Sequence, residues 1–307
     1  MIDTNNFDIN LIKQVLQNEL VGHHIAHYQS ILTTMDIARG LADADNTRSG
    51  TVVVAEEQTQ GRGRQQRYWQ SIQGKGLWLT IILKPPYLPR KPTTLPMLAG
   101  VAVVRAIRAI IPIKSKHTVS LKWPNDVLIS MPNIANQRGE ASQSHKLSYK
   151  KVGGILIETV LNSSTTHSGD SPFAYALIGI GLNVNHTTAL QLPKPPVGTL
   201  SPTSLALALG KPVDRTHLFV QLCQEMSTLL ADDEHEIYQT WRSSLATIGE
   251  FIRLYSLIQT REPETYQEEP SWRGRVVDVT EEGSLVLLDD DGVEHIFTSG
   301  DVTTNVR

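Results

Sequence analysis

Three arginines and two glycines fall within one short stretch of this sequence, QTQGRGRQQRYW at residues 58–69. Arginine presents a planar fork of N–H donors that matches carboxylate and phosphate oxygens. The glycines let the backbone approach a ligand closely, and Trp69 adds a flat face for stacking. The stretch predicts an anion-binding loop, but a solvated basic loop or a binder of single-stranded nucleic acid has the same composition. A Walker A loop is excluded, because no G-x-x-x-x-G-K-[ST] occurs in the chain.

A second stretch, KWPND at residues 122–126, places a lysine before a turn. Pro124 restricts Trp123 to an extended conformation, and Asn125 and Asp126 follow in the turn. Amide and carboxylate oxygens of this kind can orient phosphates or bind Mg²⁺. An ordinary strand–turn–strand is the alternative interpretation.

A third stretch, KVGGILIE at residues 151–158, places Lys151 directly before two glycines that open an apolar strand. This arrangement would hold a cation where the backbone comes close to a ligand, although a surface lysine at the end of a hairpin looks the same. A fourth stretch, GIGLNVN at residues 179–185, lacks the third glycine and the following helix of a dinucleotide-binding fingerprint. A Rossmann fold is therefore not predicted.

Hydrophobic periodicity predicts the elements that must position these residues. Short apolar runs rich in branched residues predict strands, and apolar residues at helical spacing predict helices. The predicted strands are 51–56, 77–83, 119–123, 127–130, 152–160, 174–184, 251–258, 273–279, 284–288 and 294–297. The predicted helices are 1–22, 34–46, 95–110, 201–209 and 214–230. The polar segment 131–150 is expected to be a long surface loop.

The sequence pattern changes after about residue 247, where predicted short strands alternate with acidic turns. Residues 247–307 hold 5 Lys+Arg against 13 Asp+Glu, a net charge of −8, whereas the preceding residues carry +5. The overall charge of −3 therefore conceals a basic large part and an acidic small part. We expect an N-terminal helical segment (1–22), a catalytic domain (23–247) and a small β-domain (248–307).

Composition excludes several classes of protein. One cysteine, Cys223, cannot form an internal disulfide. No run approaches the 18 apolar residues of a membrane-spanning helix. The beginning of the chain is acidic and polar, unlike a signal peptide. We therefore expect a cytoplasmic protein that does not associate with membranes or nucleic acid.

Taken in order, the motifs resemble those of the biotin protein ligases. G-R-G-R-x-x-R-x-W, K-W-P-N-D, K-x-G-G-I-L-x-E and G-I-G-L-N-V-N precede a small β-domain, and the resemblance covers about residues 25–307. It implies an α+β fold with a mixed, largely antiparallel sheet and flanking helices, related to class II aminoacyl-tRNA synthetases, plus a C-terminal SH3-like β-barrel. It also implies an enzyme that joins biotin to ATP as biotinyl-5′-AMP. Biotin then passes to one lysine of a biotin carboxyl carrier domain in a carboxylase.

The resemblance also implies roles for individual residues. It places biotin against Thr33, Thr34, Gln58, Gly61, Arg62, Lys151, Gly153 and Gly154. It places ATP and the adenylate against Arg64, Arg67, Trp69, Lys122, Asn125 and Asn183. The main catalytic cation would be Lys151, helped by Arg62 and Arg64, and Mg²⁺ would lie near Asn125 and Asp126.

The sequence departs from the family at two places. Thr33 stands where the family usually has serine, and helix capping alone would explain both Thr33 and Thr34. Only about 25–30 residues precede the core, fewer than a winged helix-turn-helix needs, so we expect a ligase without repressor activity. The sequence is compatible with a homodimer and does not determine the oligomeric state. The alternatives are a lipoate or other acyl-adenylate ligase, which shares the core, and a module that binds single-stranded nucleic acid.

Overall fold

The structure is a computed structural model that describes residues 7–44, 46–131, 148–162, 172–193, 200–255 and 272–303. These ranges contain six α-helices and twelve β-strands. The helices are α1 (Ile9–Val15), α2 (Thr34–Ala42), α3 (Thr94–Ile110), α4 (Leu205–Leu209), α5 (Arg215–Leu229) and α6 (Glu234–Ser244). The strands of the first part are β1 (Ile25–Tyr28), β2 (Thr51–Ala55), β3 (Gly76–Leu83), β4 (Val119–Lys122), β5 (Asp126–Met131), β6 (Ser148–Leu161) and β7 (Phe173–Asn183). Those of the second part are β8 (Phe251–Tyr255), β9 (Trp272–Val279), β10 (Leu285–Leu288), β11 (Glu294–Phe297) and β12 (Asp301–Thr303).

The first seven strands form one sheet in the order β1-β2-β3-β7-β6-β5-β4. Strands β1 and β2 are parallel, and every other neighbouring pair is antiparallel. The prediction of a mixed, largely antiparallel sheet is confirmed. No described helix has the length and apolar character needed to cross a membrane.

Both faces of the sheet are covered, which explains why β2 and β3 are buried along their whole length. Successive side chains of a strand point to opposite faces. Leu79 and Ile81 accordingly join the core under α3 and α5, and Ile82 joins the core with Met35 of α2. The α2 face also carries the candidate site residues.

The last five strands form an antiparallel sheet in the order β11-β10-β9-β8-β12. Its apolar side chains are buried together with those of the large sheet's helices. Two polar contacts join the two parts. Trp123 Nε1 donates to the Gly283 carbonyl at 2.8 Å, and the Tyr238 hydroxyl donates to the Val279 carbonyl at 2.9 Å.

Several element boundaries differ from the sequence-based expectations. The first helix is limited to α1, which Asp8 caps as expected by accepting from Asn10 and Leu11 N–H. The helix expected over 201–209 begins only after Ser204, whose hydroxyl accepts from Leu207 N–H. The pattern missed β1, α6 and β12, because two of them are too short for periodicity and α6 is mostly polar. Residues 132–147 of the expected loop lie outside the described residues.

Candidate functional site

The floor of the candidate site is a pair of glycines on adjacent strands. Gly154 of β6 lies opposite Gly181 of β7, and the indole of Trp69 covers both. A Cβ at Gly181 would lie 2.9 Å from Trp69 Nε1, and one at Gly154 would lie 3.4 Å from Trp69 Cζ3. We call Gly154 and Gly181 the glycine floor. Side chains of ordinary size are excluded there, so a flat ring can lie directly on the backbone.

Gly153 faces the other way. It pairs with Leu182, and a Cβ on Gly153 would come within 2.4 Å of the Leu182 side chain. Close packing in the core accounts for this glycine, and Gly154 alone of the two borders the Trp69 ring.

One end of the site is a buried network of neutral polar side chains. The Thr34 N–H and hydroxyl donate to Gln58 Oε1 at 2.8 and 3.1 Å, and the Thr80 hydroxyl donates to Thr34 Oγ1 at 2.8 Å. Gln58 Nε2 donates to the Ser71 hydroxyl at 3.3 Å. We call Thr34, Gln58, Ser71 and Thr80 the buried end. Its groups suit a neutral ligand with both donors and acceptors.

Thr33 lies beside this network as the cap of α2. Its hydroxyl accepts from Met35 N–H at 3.3 Å, and the residue is buried. Gly61 closes the network from the other side, because a Cβ there would lie 2.4 Å from the Trp69 carbonyl oxygen and 3.3 Å from Gln58 Nε2. The structure thus brings Thr33, Thr34, Gln58 and Gly61 together.

Residues 61–69, which we call the arginine loop, form a tight hairpin. Gly63 N–H donates to the Arg67 carbonyl and Trp69 N–H to the Gly61 carbonyl, both at 2.8 Å. Between them, Gln65 and Gln66 adopt left-handed φ angles of 56° and 58°. Such a conformation costs a residue with a Cβ about 1–2 kcal/mol, so contacts outside the hairpin must hold it.

Each arginine of the loop has a protein partner. Arg62 pairs with Asp36 of α2, and Arg67 pairs with Asp301 of β12. Arg64 Nη1 lies 3.3 Å from the Gly300 carbonyl oxygen and 3.5 Å from Asn125 Oδ1. Burial lowers the pKa of the Arg64 guanidinium below its ordinary value, while the Asp301 and Asp126 carboxylates act in the opposite direction.

Two lysines share one carboxylate next to Trp69. Lys151 Nζ lies 2.5 Å from Asp126 Oδ1, and Lys122 Nζ lies 3.9 Å from Asp126 Oδ2. Burial lowers the pKa of Lys122, and the nearby Asp126 opposes that shift. Lys151 Nζ also lies 5.4 Å from the centre of the Trp69 ring. We call this cluster, together with the arginine loop, the charged end.

Lys151 lies inside β6. The alternative interpretation of its sequence position, a surface lysine at the end of a hairpin, does not match this location. It pairs with Leu128 of β5, and the register shifts immediately afterwards, so that Gly153 pairs with Val127. Its backbone also bonds with Ser201 and Thr203, at 3.1 and 2.8 Å. A bulge of this kind redirects side chains, and here it accompanies the cluster around Asp126.

The amides of Asn125 and Asn183 are engaged by the backbone. Asn125 Nδ2 donates to the Ile155 carbonyl at 2.8 Å, and Asn183 Nδ2 donates to the Thr203 carbonyl at 3.2 Å. Asn183 is buried at the end of β7, two residues from the glycine floor. Both asparagines therefore border the site.

The residues at positions 125–126 do not fit a resident magnesium ion. Mg²⁺ requires several oxygen ligands in near-octahedral geometry. The described residues contain no group of three or more metal-binding His, Cys, Asp or Glu side chains. The one carboxylate here, Asp126, already lies between two ammonium groups, which would repel a divalent cation.

Comparison with known proteins identifies the family. Residues 28–169 match the model of the Biotin/lipoate A/B protein ligase family, and residues 265–303 match that of the Biotin protein ligase C terminal domain. The Bifunctional ligase/repressor BirA of Bacillus subtilis is 30% identical over 290 residues, covering 92% of this chain and 75% of that protein. The chain belongs to the biotin protein ligase family. It is therefore a ligase enzyme.

Other biotin protein ligases are similar over different shares of their length. The human Biotin--protein ligase is 29% identical over 185 residues, which are 59% of this chain and 22% of that one. The structure of the Aquifex aeolicus biotin protein ligase in complex with biotin and ATP superposes with a TM-score of 0.63 and 25% identity. It covers 91% of this chain and 97% of that one, which confirms the predicted fold class.

Sequence reasoning missed four residues of the site. Two of them, Asp36 and Asp301, form ion pairs with arginines of the loop. The other two, Ser71 and Thr80, form hydrogen bonds with Gln58 and Thr34. Only Thr80 left a signal, as the single polar residue in the apolar run of β3.

Proposed function

We propose that this ligase joins biotin to ATP as biotinyl-5′-AMP and then transfers biotin to one lysine of a biotin carboxyl carrier domain. The observation that carries the proposal is the polarity of the site. A buried, neutral, hydrogen-bonding end adjoins a charged end, with the Trp69 ring and the glycine floor between them. Biotin has a neutral ureido ring at one end and a carboxylate at the other, so it matches this gradient.

In the first step, a carboxylate oxygen of biotin attacks the α-phosphorus of ATP. The new P–O bond forms as the bond to the β-phosphate oxygen breaks, and pyrophosphate leaves. Two anions must approach each other, so cations contribute most by neutralising them. Lys151 and Arg62 would face the carboxylate, and Arg64 and Arg67 would face the phosphates after exchanging their protein partners.

In the second step, the amine of the carrier lysine attacks the carbonyl carbon of the adenylate. The C–O bond to the phosphate breaks, AMP leaves, and the nitrogen loses one proton as the amide forms. Lys151 would stay beside the departing phosphate and stabilise its charge.

Mg²⁺ would enter with ATP as the counterion of its phosphates, because Asp126 does not fit a resident ion. The Aquifex aeolicus ligase structure contains biotin and ATP, which supports these two molecules as the substrates. A cytoplasmic carboxylase would supply the carrier domain.

Isotope exchange between pyrophosphate and ATP tests the first step. We expect exchange that depends on biotin, followed by ATP-dependent biotin transfer to a purified carrier domain. Exchange that depends on lipoate and not on biotin would instead identify a lipoate ligase, which shares the family. A variant carrier in which arginine replaces the acceptor lysine is the control for transfer.

Binding to single-stranded nucleic acid is a separate alternative, since the arginine loop is basic and aromatic. That function predicts binding that weakens steeply with salt and needs no biotin. In the structure, all three arginines of the loop contact protein groups. This argues against a basic surface that is free to bind nucleic acid. Fluorescence anisotropy with a labelled single-stranded oligonucleotide at two salt concentrations measures such binding directly.

A further inference from the structure

The chain between β2 and β3 carries much of the candidate site. Residues 57–75, which we call the site segment, include Gln58 and the whole arginine loop. The ladder between β2 and β3 ends at the pair Ala55–Trp78. Beyond that pair, contacts other than the ladder must fix the point at which the site segment leaves the sheet.

A buried arginine of α5 joins the two ends of the site segment. Arg215 Nη2 donates to Glu56 Oε2 at 2.8 Å, and Arg215 Nη1 donates to the Gly76 carbonyl at 3.1 Å. Glu56 directly precedes the segment, and Gly76 directly follows it. A single planar guanidinium therefore bridges the place where the chain leaves the sheet and the place where it returns.

The two partners of Arg215 differ in how firmly the sheet holds them. Gly76 begins β3 and pairs with Asn183 of β7, so its carbonyl belongs to a long ladder. Glu56 lies just after the end of β2. The guanidinium thus connects Glu56 to a fixed point, and Gln58 follows only two residues later.

Burial of this ion pair is nearly complete, since 1% of Arg215 and 8% of Glu56 is exposed. Removing two charges from water offsets most of their attraction, so apolar side chains of similar size would stabilise the fold as well. The distinctive contribution of the guanidinium is therefore the fixed geometry of its two acceptors.

Arg215 lies away from the substrates. Its guanidinium carbon is 5.5 Å from the centre of the Phe7 ring, and Phe7 belongs to the core under α3 and α5. The candidate site lies on the α2 side, where Gln58 Oε1 accepts from the Thr34 N–H and hydroxyl. Any effect of Arg215 on the site must therefore pass through the backbone that follows Glu56.

We propose that Arg215 is a positioning residue for biotin, which holds Glu56 and thereby places Gln58 beside Thr34 before biotin binds. The proposal rests on the proposed function for the identity of the ligand. Because the site segment is held in advance, biotin binding loses less conformational entropy than it would with a segment that is free to move.

The test uses a double variant of the full chain, Arg215→Met/Glu56→Gln. Replacing Arg215 alone would leave the Glu56 carboxylate buried without its cation, which destabilises a protein strongly. The double variant removes both charges and keeps the side chains similar in size. The amide introduced at position 56 can still contact His27 Nε2, which lies 3.3 Å from Glu56 Oε1. We therefore expect a melting temperature close to that of the wild type.

Biotin affinity should nevertheless fall in the double variant. We expect the dissociation constant for biotin, measured by calorimetry without ATP, to rise about tenfold, the effect of one lost hydrogen bond at a misplaced Gln58. At saturating biotin, the KM for ATP should remain as in the wild type, because the Gly76 ladder is intact. This separation of the two substrates would not follow from a general loss of stability.

Arg242→Met/Asp278→Asn is the matched control. Arg242 of α6 binds Asp278 of β9 through two hydrogen bonds, at 2.6 and 3.0 Å, so it too joins a helix to a strand through a carboxylate. This pair lies outside the site segment. The control variant should bind biotin with wild-type affinity.

Hydrogen exchange of the ligand-free protein provides a readout independent of biotin. Amides of residues 57–75 should exchange faster in Arg215→Met/Glu56→Gln than in the wild type, while those of β3 and β7 keep their protection. Arg215→Lys keeps the charge beside Glu56 and replaces the planar fork by one nitrogen. It should weaken biotin binding less than the double variant does, and it decides the question if the double variant does not fold.

The outcomes separate the proposal from the function on which it rests. Wild-type biotin affinity in the double variant, or in Arg215→Lys where only that variant folds, would overturn the positioning role. Faster exchange throughout the large sheet, with equal losses for biotin and ATP, would also overturn it. A wild-type protein that does not bind biotin would instead refute the proposed function, while hydrogen exchange would still test whether Arg215 holds the site segment.

Discussion

The two ends of the site are built on different physical principles. The buried end is neutral and almost fully buried, and hydrogen bonds connect Thr34, Gln58, Ser71 and Thr80. At the charged end the three arginines and Lys151 are partly exposed, although Lys122 is buried, and each arginine of the loop is held by an acidic or carbonyl partner. The buried end is thus already in its final arrangement, whereas the charged end must exchange partners when substrates arrive.

This difference predicts separable effects of substitutions. Changes at the buried end should affect biotin affinity, and changes at the charged end should affect ATP and the chemical step. Trp69 and the glycine floor connect the two ends, so changes there should affect the step in which both substrates meet.

The largest effect is expected for Lys151→Ala, at the centre of the charged end. Loss of one preorganised charge at a reacting group lowers rates by about 10²–10³-fold, so biotin-dependent exchange should fall by that factor. The melting temperature should hold, because the β6 ladder and the bonds to Ser201 and Thr203 involve only the backbone of Lys151.

Lys150→Ala is the control for that experiment, since alternation along β6 directs this neighbouring side chain to the opposite face. The rate of biotin-dependent exchange between pyrophosphate and ATP should stay close to that of the wild type. Activity of Lys151→Ala within a few-fold of the wild type would remove Lys151 from the chemistry and leave the arginines as the main cations.

A smaller but still large effect is expected for Gly181→Ala, which attacks the junction of the two ends. The new methyl group would lie 2.9 Å from Trp69 Nε1, so the indole must move off the floor. We expect exchange activity to fall about 10–100-fold, the cost of displacing a positioning group by roughly 1 Å.

Gly40→Ala is its control, because nothing lies within 4 Å of a Cβ at that exposed helical position. Alanine in a helix should stabilise the protein by up to about 1 kcal/mol. Equal activity of both alanine variants would show that Trp69 need not lie on Gly181 during the reaction.

The contrast between the ends also explains what could be predicted from the sequence. Apolar runs predicted β2, β3 and β7 within one residue at each end, because burial on both faces leaves a continuous pattern. The motifs also predicted residues that the structure brings together, such as Thr34 with Gln58 and Lys151 with Asp126.

The partners of the charged end could not be predicted in this way. Asp301 lies 234 positions from Arg67, and spacing along a chain carries no information about a contact between separate sheets. The short strand β12 that presents Asp301 has too few residues for a periodic pattern. Asp36 was read only as part of a helix, and its contact with Arg62 depends on the fold of the loop.

An effect of pH on stability is expected from His186, whose ring lies next to that of Trp78. His186 is buried with its ring 6.3 Å from that of Trp78, and burial together with the Lys75 charge lowers its pKa to about 4. The unfolded chain binds a proton at about pH 6.5 and the folded chain does not, so stability falls as the pH drops from 6.5 towards 4. Between pH 7.5 and 5 the loss should be about 2 kcal/mol.

Urea unfolding at several pH values measures this slope in the wild type and in His186→Gln. The substitution should remove most of the slope, while His217→Gln at an exposed position should keep it. An unchanged slope in His186→Gln would assign the acid sensitivity to other groups.

The smallest effect is expected for Thr34→Val, which keeps the shape of the buried end and removes one hydroxyl. Gln58 Oε1 would keep the Thr34 N–H at 2.8 Å, but the Thr80 hydroxyl would lose its acceptor. One lost hydrogen bond of about 1 kcal/mol should weaken biotin binding roughly fivefold to tenfold, as measured by calorimetry without ATP. The KM for ATP should stay unchanged, because the hydroxyl lies at the other end of the site.

The double variant Thr34→Val/Thr80→Val sharpens the comparison. Removing both members of a buried hydrogen bond costs less stability than leaving one of them unpaired, so the double variant should unfold at a higher urea concentration than Thr34→Val alone. Biotin affinity should remain as weak as in the single variant, because the hydroxyl itself is missing. Recovery of biotin affinity together with stability would mean that the buried end acts only through packing, and the division between a neutral recognition end and a charged reaction end would then fail.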